Sequence, residues 1–155
     1  MNHEGSGDVY YKGGSMLHTI RQLVNDDEKW RGILRGLQST FWHKTVTGRQ
    51  IEQYITAHSG VALGPVFEEY LHTTMVPALE YKVENGRLSY RWTNVVRGFA
   101  MPVRVTVGDS TGYSWIRPTQ QWKTMPRPVA SGATLRTDPN FYVTVMPPSS
   151  EPTRN

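Results

Sequence analysis

Leu79-Glu80-Tyr81-Lys82-Val83-Glu84-Asn85-Gly86-Arg87-Leu88-Ser89-Tyr90-Arg91-Trp92 is the stretch on which the fold turns. Leu79, Tyr81 and Val83 alternate with Glu80, Lys82 and Glu84, the period of a half-buried strand. Asn85-Gly86 then supplies the two residues that tolerate the positive φ angles of a type I′ turn. A two-residue turn sets the register, so Glu84 is expected opposite Arg87, Val83 opposite Leu88, Tyr81 opposite Tyr90 and Leu79 opposite Trp92. Ion pair, apolar pair, aromatic pair and apolar-aromatic pair all match, which is the agreement between levels expected of a real hairpin.

Downstream, Met101, Val103, Val105 and Val107 predict a third strand and Tyr113 to Ile116 a fourth. Phe141, Val143 and Val145 predict a late strand after the Asp138-Pro139-Asn140 turn. Between them, Trp122 and Leu135 suit edge strands broken by Pro126 and Pro128. Short strands with frequent turns imply a small antiparallel β-sandwich over residues 77–146. Residues 147–155 are rich in proline and serine and lack large apolar side chains, so this tail is expected to be disordered.

Upstream of Pro77 the period is helical. Met16, Leu17, Ile20, Leu23 and Val24 form one stripe that stops at Asn25, a suitable N-cap for the next helix with Glu28 as its capping-box partner. Trp30, Ile33, Leu34, Leu37 and Phe41 form a second stripe. Thr47-Gly48-Arg49-Gln50 is a capping box ahead of Ile51, Tyr54 and Ile55, and Ser59-Gly60 ends that helix. Pro65 opens a short fourth helix expected to bury Val66, Phe67, Tyr70 and Leu71. The fold class is therefore α+β: about four helices over residues 1–76, then the sandwich.

Composition narrows the chemistry. The 155 residues include no cysteine, which excludes disulfides, thiolate metal sites and cysteine nucleophiles. No apolar run approaches the roughly 20 residues of a membrane span, so a soluble chain is expected, with no membrane partner. Residues 1–76 carry 7 Lys+Arg against 8 Asp+Glu and residues 77–155 carry 10 against 5. The basic residues of the second half are scattered singly on presumed strands, the pattern of a solvated basic face and not of a nucleic-acid surface. His3-Glu4 opens a zinc-protease motif, but position 7 is Gly where a second histidine is required. The remaining histidines are dispersed, and Glu68 with His72 reads as a surface pair on the fourth helix. Neither a Gly-x-Ser-x-Gly elbow nor a phosphate-binding glycine loop is present.

One segment carries a catalytic possibility. Asp8-Val9-Tyr10-Tyr11-Lys12-Gly13-Gly14-Ser15 places Tyr10 and Lys12 in a glycine-punctuated stretch ahead of the first amphipathic stripe. By itself it describes a tyrosine that packs its ring and a lysine at a helix start. Tyr-x-Lys-Gly followed by an apolar helix resembles the segment carrying the transition-state tyrosine of the M1 (gluzincin) zinc aminopeptidases. Met16-Leu17-His18-Thr19-Ile20-Arg21, Asp27-Glu28-Lys29-Trp30, Phe67-Glu68-Glu69-Tyr70-Leu71 and Val76-Pro77-Ala78-Leu79 are similar to that family's following helices and its exit into the β domain. Gly98-Phe99-Ala100-Met101-Pro102-Val103 fits a strand of that domain.

The resemblance implies that Tyr10 is the oxyanion donor, that Lys12 supports it, and that the parent enzyme removes N-terminal residues from peptides. His-Glu-x-x-His, its later glutamate and Gly-x-Met-x-Asn do not occur in this sequence. The resemblance thus implies a C-terminal fragment that binds no metal itself, zinc belonging to the parent, and that is inactive alone. Its partners would be upstream residues of the catalytic domain and, in the parent, peptide substrate; helix faces left bare would favour self-association. Two other readings remain: a non-catalytic M1-like scaffold, and a β-sandwich module binding protein, or carbohydrate through Trp92, Trp115 or Trp122.

Overall fold

The structure, a computed structural model, describes residues 7–147, with side chains from residue 11. Four helices precede seven short strands in an α+β arrangement. The chain divides into two compact units. One comprises residues 1–74 together with 140–142, the other 75–139 and 143–155. His3 and Glu4 lie outside the described residues, as does the tail expected over 147–155 apart from Pro147.

The helical unit contains α1 (Gly7–Val24), α2 (Asp27–Thr40), α3 (Gly48–Ser59) and α4 (Gly64–His72). Met16, Ile20 and Leu23 of α1 are buried with Trp30, Ile33, Ile55, Leu63, Val66, Phe67 and Tyr70. The capping box of α3 is complete: Thr47 Oγ1 accepts from the Gln50 amide at 3.2 Å, and Gln50 Oε1 accepts from the Thr47 amide at 2.9 Å. Gly60 ends α3 at φ +73°, a left-handed angle that glycine adopts without steric cost.

Several local expectations are corrected here. Asn25 is not the N-cap of α2: its φ of +52° lies in the left-handed region, whereas an N-cap needs extended backbone. Asp26, at φ −153°, takes that role and accepts from the Lys29 amide at 3.0 Å. The second stripe is only partly covered, because Leu34 is exposed while Trp30 and Ile33 are buried. Leu17 and Leu71 are exposed as well. His72 meets Glu52 of α3 at 3.3 Å instead of pairing with Glu68, a contact between helices that spacing along one helix does not reveal.

The strand unit contains two small sheets. β1 (Ala78–Glu84) and β2 (Arg87–Thr93) are flanked by β5 (Lys123–Thr124) and β7 (Thr144–Met146) in the order β5-β2-β1-β7. The second sheet is β4 (Ser114–Ile116), β3 (Val103–Val107) and β6 (Leu135–Thr137), in the order β4-β3-β6. The hairpin register is the expected one, from Glu84 opposite Arg87 to Leu79 opposite Trp92. Asn85 and Gly86 hold φ of +50° and +72°. Tyr81, Leu88, Tyr90 and Trp92 are buried, and the Trp92 indole N–H donates to the Met101 carbonyl at 3.0 Å.

The sheets depart from the expected antiparallel sandwich in two respects. β7 runs parallel to β1, pairing Ala78 with Thr144 and Leu79 with Val145. Parallel pairing requires a long crossover, which the chain from β2 to β6 provides. Phe141, assigned from sequence to the late strand, is instead buried in the segment that belongs to the helical unit. The amide and carbonyl of Tyr142 are taken by side chains of the helical unit, Thr19 and Tyr70, and β7 begins only at Thr144.

Two glycine substitutions should act in opposite directions. A Cβ at Gly14, inside α1, meets nothing within 4 Å, so Gly14→Ala should stabilise by about 0.5–1 kcal/mol. Gly86→Ala forces a side chain into φ +72° and should destabilise by about 1 kcal/mol. Urea midpoints of the two variants moving the same way would contradict this assignment of backbone geometry.

Candidate functional site

The segment that carries the sequence-level site is helical. α1 begins at Gly7, so Tyr10 and Lys12 stand inside its first two turns and not in a loop ahead of it. Gly13 and Gly14 weaken a helix by roughly 1 kcal/mol each relative to alanine, but propensity of that size yields to tertiary contacts. One such contact is visible: Lys12 Nζ donates to the Thr73 carbonyl at 2.7 Å. Thr73 is the C-cap of α4, where unpaired carbonyls and the helix dipole both favour a cation. Lys12 thus ties the start of α1 to the end of α4. The Tyr10 side chain lies outside the described residues.

Around Lys12 the polar contacts form a connected set within the helical unit. Thr73 Oγ1 donates to the Glu69 carbonyl at 2.6 Å. Glu69 is fully buried, next to buried Tyr70. The Tyr70 hydroxyl donates to the Tyr142 carbonyl at 2.5 Å, and the Tyr142 amide donates to Thr19 Oγ1 at 3.0 Å. Thr19, fully buried, donates in turn to the Ser15 carbonyl at 2.9 Å. Tyr11 is two-thirds exposed and meets the Tyr142 ring edge-on at 5.8 Å. His18 and Asn140 are 2.9 Å apart. Sequence reasoning placed Tyr70 in the buried stripe of α4 but not its bond to Tyr142, and missed Thr19 and Tyr142; a polar Thr19 within an apolar stripe was the available signal.

This set is structural in its chemistry. Burial pushes the Tyr70 hydroxyl far above the ordinary tyrosine range, and the charge of Glu69 and then Tyr142 push it the same way. Tyr70 therefore keeps its proton and spends it on the Tyr142 carbonyl. At the surface, a bidentate bond to Asp27 raises Arg21 and lowers Asp27. Among the described residues no three His, Asp or Glu side chains come close enough to hold a metal. The donor set that zinc requires does not fit these residues. Nor is any helix long and apolar enough to cross a membrane.

The tryptophans considered for carbohydrate stacking divide. Trp92 is buried in the sheet unit, edge-on to Phe99 at 5.5 Å. Trp122 is exposed, with the Arg91 guanidinium 4.6 Å and the Lys82 ammonium 4.9 Å from its ring centre. Trp115, also exposed, has Arg104 at 5.4 Å. Cations thus approach the two rings that solvent reaches.

Comparison with known proteins adds a fold. No protein-family model matches the chain, and no curated protein matches it. Among solved structures it is similar to Legionella pneumophila aminopeptidase A, determined in complex with aspartic acid, at a TM-score of 0.56 and 14% identity. The match covers 90% of this chain and 18% of that one. The chain therefore spans less than a fifth of that aminopeptidase's length and shares the fold of that part.

Tyr70→Phe should cost about 1–3 kcal/mol at neutral pH by leaving the part-buried Tyr142 carbonyl without its donor. The folded-state pKa of Tyr70 is raised, so its protonated form contributes stability that is fully present below about pH 10 and lost as pH climbs from there toward the folded value. Urea titrations at neutral and alkaline pH should show wild type losing more stability on alkalisation than Tyr70→Phe. Equal losses would place the tyrosine in a more open setting.

Proposed function

We propose that this chain is the C-terminal part of a zinc aminopeptidase of the M1 type, in which Tyr10 supplies a hydrogen-bond donor to the reaction. The single observation that carries the reading is the fold shared over 90% of the chain with part of a much longer aminopeptidase. It agrees with the residues that suggested the family, Tyr10 and Lys12-Gly13 ahead of the Met16 stripe.

The placement of Lys12 supports a defined role for Tyr10. They stand two positions apart on α1, and the Lys12 bond to the end of α4 holds that turn of helix in place. A phenol on an anchored turn can donate to the oxygen on which negative charge develops as a peptide carbonyl becomes tetrahedral. Such preorganised donors are worth about 3–4 kcal/mol of barrier. Lys12 acts as a positioning residue, its ammonium committed to the Thr73 carbonyl. Zinc would be held by residues of the parent outside this chain, and amine recognition would lie there too. The β sheets serve as support.

Two measurements test this. The purified chain should release no chromogenic group from aminoacyl substrates with added zinc; zinc-dependent turnover by the chain alone would sink the reading. In the full-length parent, Tyr10→Phe should lower kcat by about 100- to 1,000-fold with little change in KM. Lys12→Met should lower it less, through disorder of the same turn, and wild-type turnover in Tyr10→Phe would remove the tyrosine from the mechanism.

A further inference from the structure

A second feature lies wholly within the strand unit and owes nothing to Tyr10. An open groove of about 730 Å³ runs between β4 and the segment Met125–Ala130. β4 is an edge strand of its sheet, and Met125–Ala130 continues from β5, the edge strand of the other. The Met125 amide donates to the Leu88 carbonyl and the Val129 amide to the Gly86 carbonyl, both at 2.8 Å, so this strap is pinned at each end to the hairpin. Lys123 Nζ donates to the Arg117 carbonyl at 2.7 Å and joins the two walls at one end.

The lining sorts by chemistry. Tyr90 and Ile116 are buried and form an apolar floor, while Trp115, Arg117 and Arg127 are exposed at the rim. Burial raises the Tyr90 hydroxyl, which leaves it a neutral donor. Arg127 stands between Pro126 and Pro128, which fix their own φ and restrict Met125 and Arg127 to extended backbone. Its guanidinium is thus presented from a stiff support.

Charge selects the occupant. Among the described residues of this unit Glu80 pairs with Arg91, Glu84 with Lys82 and Asp138 with Arg104. Neither Arg117 nor Arg127 forms a salt bridge among the described residues, and Asp109 is the lone carboxylate on the groove. An edge strand offers a row of backbone donors and acceptors, an apolar floor takes alternate side chains of an extended chain, and rim arginines take carboxylates bidentately.

We propose that this groove binds an extended, glutamate- or aspartate-bearing segment of a partner protein, added as a strand alongside β4. Specificity comes from carboxylates meeting Arg117 and Arg127 while the intervening apolar side chains face Tyr90 and Ile116.

The probe is a fluorescent peptide of alternating glutamate and valine, titrated into the full chain, with a lysine-valine peptide and a single-stranded oligonucleotide for comparison. Expected are saturable binding of the glutamate peptide and amide shifts at Ser114–Arg117 and Met125–Ala130. Arg117→Glu with Arg127→Glu should weaken affinity at least about ten-fold, and raising salt should weaken it further, since exposed charges are screened beyond about 10 Å at about 0.1 M. Equal binding of the lysine peptide, tighter binding of the oligonucleotide at the same amides, or shifts confined to other residues would each overturn the proposal. The wild-type titration and shifts decide the matter even where the double variant fails to fold.

Discussion

The peptide unit of Tyr142 is held at both polar groups from within the helical unit: its amide by Thr19 and its carbonyl by Tyr70. Both side chains are buried, so each hydroxyl must find a partner or be stripped of water at a cost of about 1–3 kcal/mol. The pairing engages both hydroxyls together with the amide and carbonyl of Tyr142, and Phe141 is buried beside it. Thr19 in turn bonds back to Ser15 of the same helix that carries Lys12, and Lys12 reaches the C-cap of α4, the helix that carries Tyr70. The ends of α1 and α4 are therefore connected through a short segment that arrives from far along the chain.

In the strand unit the governing constraint is different. The hairpin supplies a local, self-consistent nucleus: turn chemistry, register and burial all agree, and β5, β7 and the Met125–Ala130 strap add to its edges. Its carboxylates are few and mostly engaged, so the unit carries a cationic surplus distributed over stiff backbone. Part of that charge rests against the ring faces of Trp122 and Trp115, which attract it. Such a surface offers specific places where an anion is welcome.

Local chemistry was legible in the sequence where the physics is local. The Asn85-Gly86 turn, the Thr47–Gln50 box and the Gly60 stop each rest on the conformational limits of a few adjacent residues, and each stands in the structure. What sequence could not convey were the contacts set by tertiary structure. Asn25 and Asp26 are both good caps, and only the path of the chain between α1 and α2 chooses between them. Leu34 and Ile33 have the same hydropathy but different exposure. Phe141 alternates with Val143 and Val145 as a strand residue would, yet it is taken by a core built more than a hundred residues earlier in α1 and soon after. At the candidate site, only the resemblance to a known family singled out Tyr10 and Lys12, and the bond from Lys12 to Thr73 joins residues 61 positions apart.

The return of residues 140–142 also sets an order of events during synthesis. A ribosome adding about 5–20 residues per second needs roughly 3–14 s to travel from Thr74 to Tyr142. Throughout that interval the peptide unit that pairs with the Thr19 and Tyr70 hydroxyls is not yet made. The hairpin, complete by Thr93, has everything it needs far sooner. The unit that comes first in the sequence therefore cannot finish until residues 140–142 are made, and the emerging chain is exposed to premature association for as long as that closing segment remains unmade.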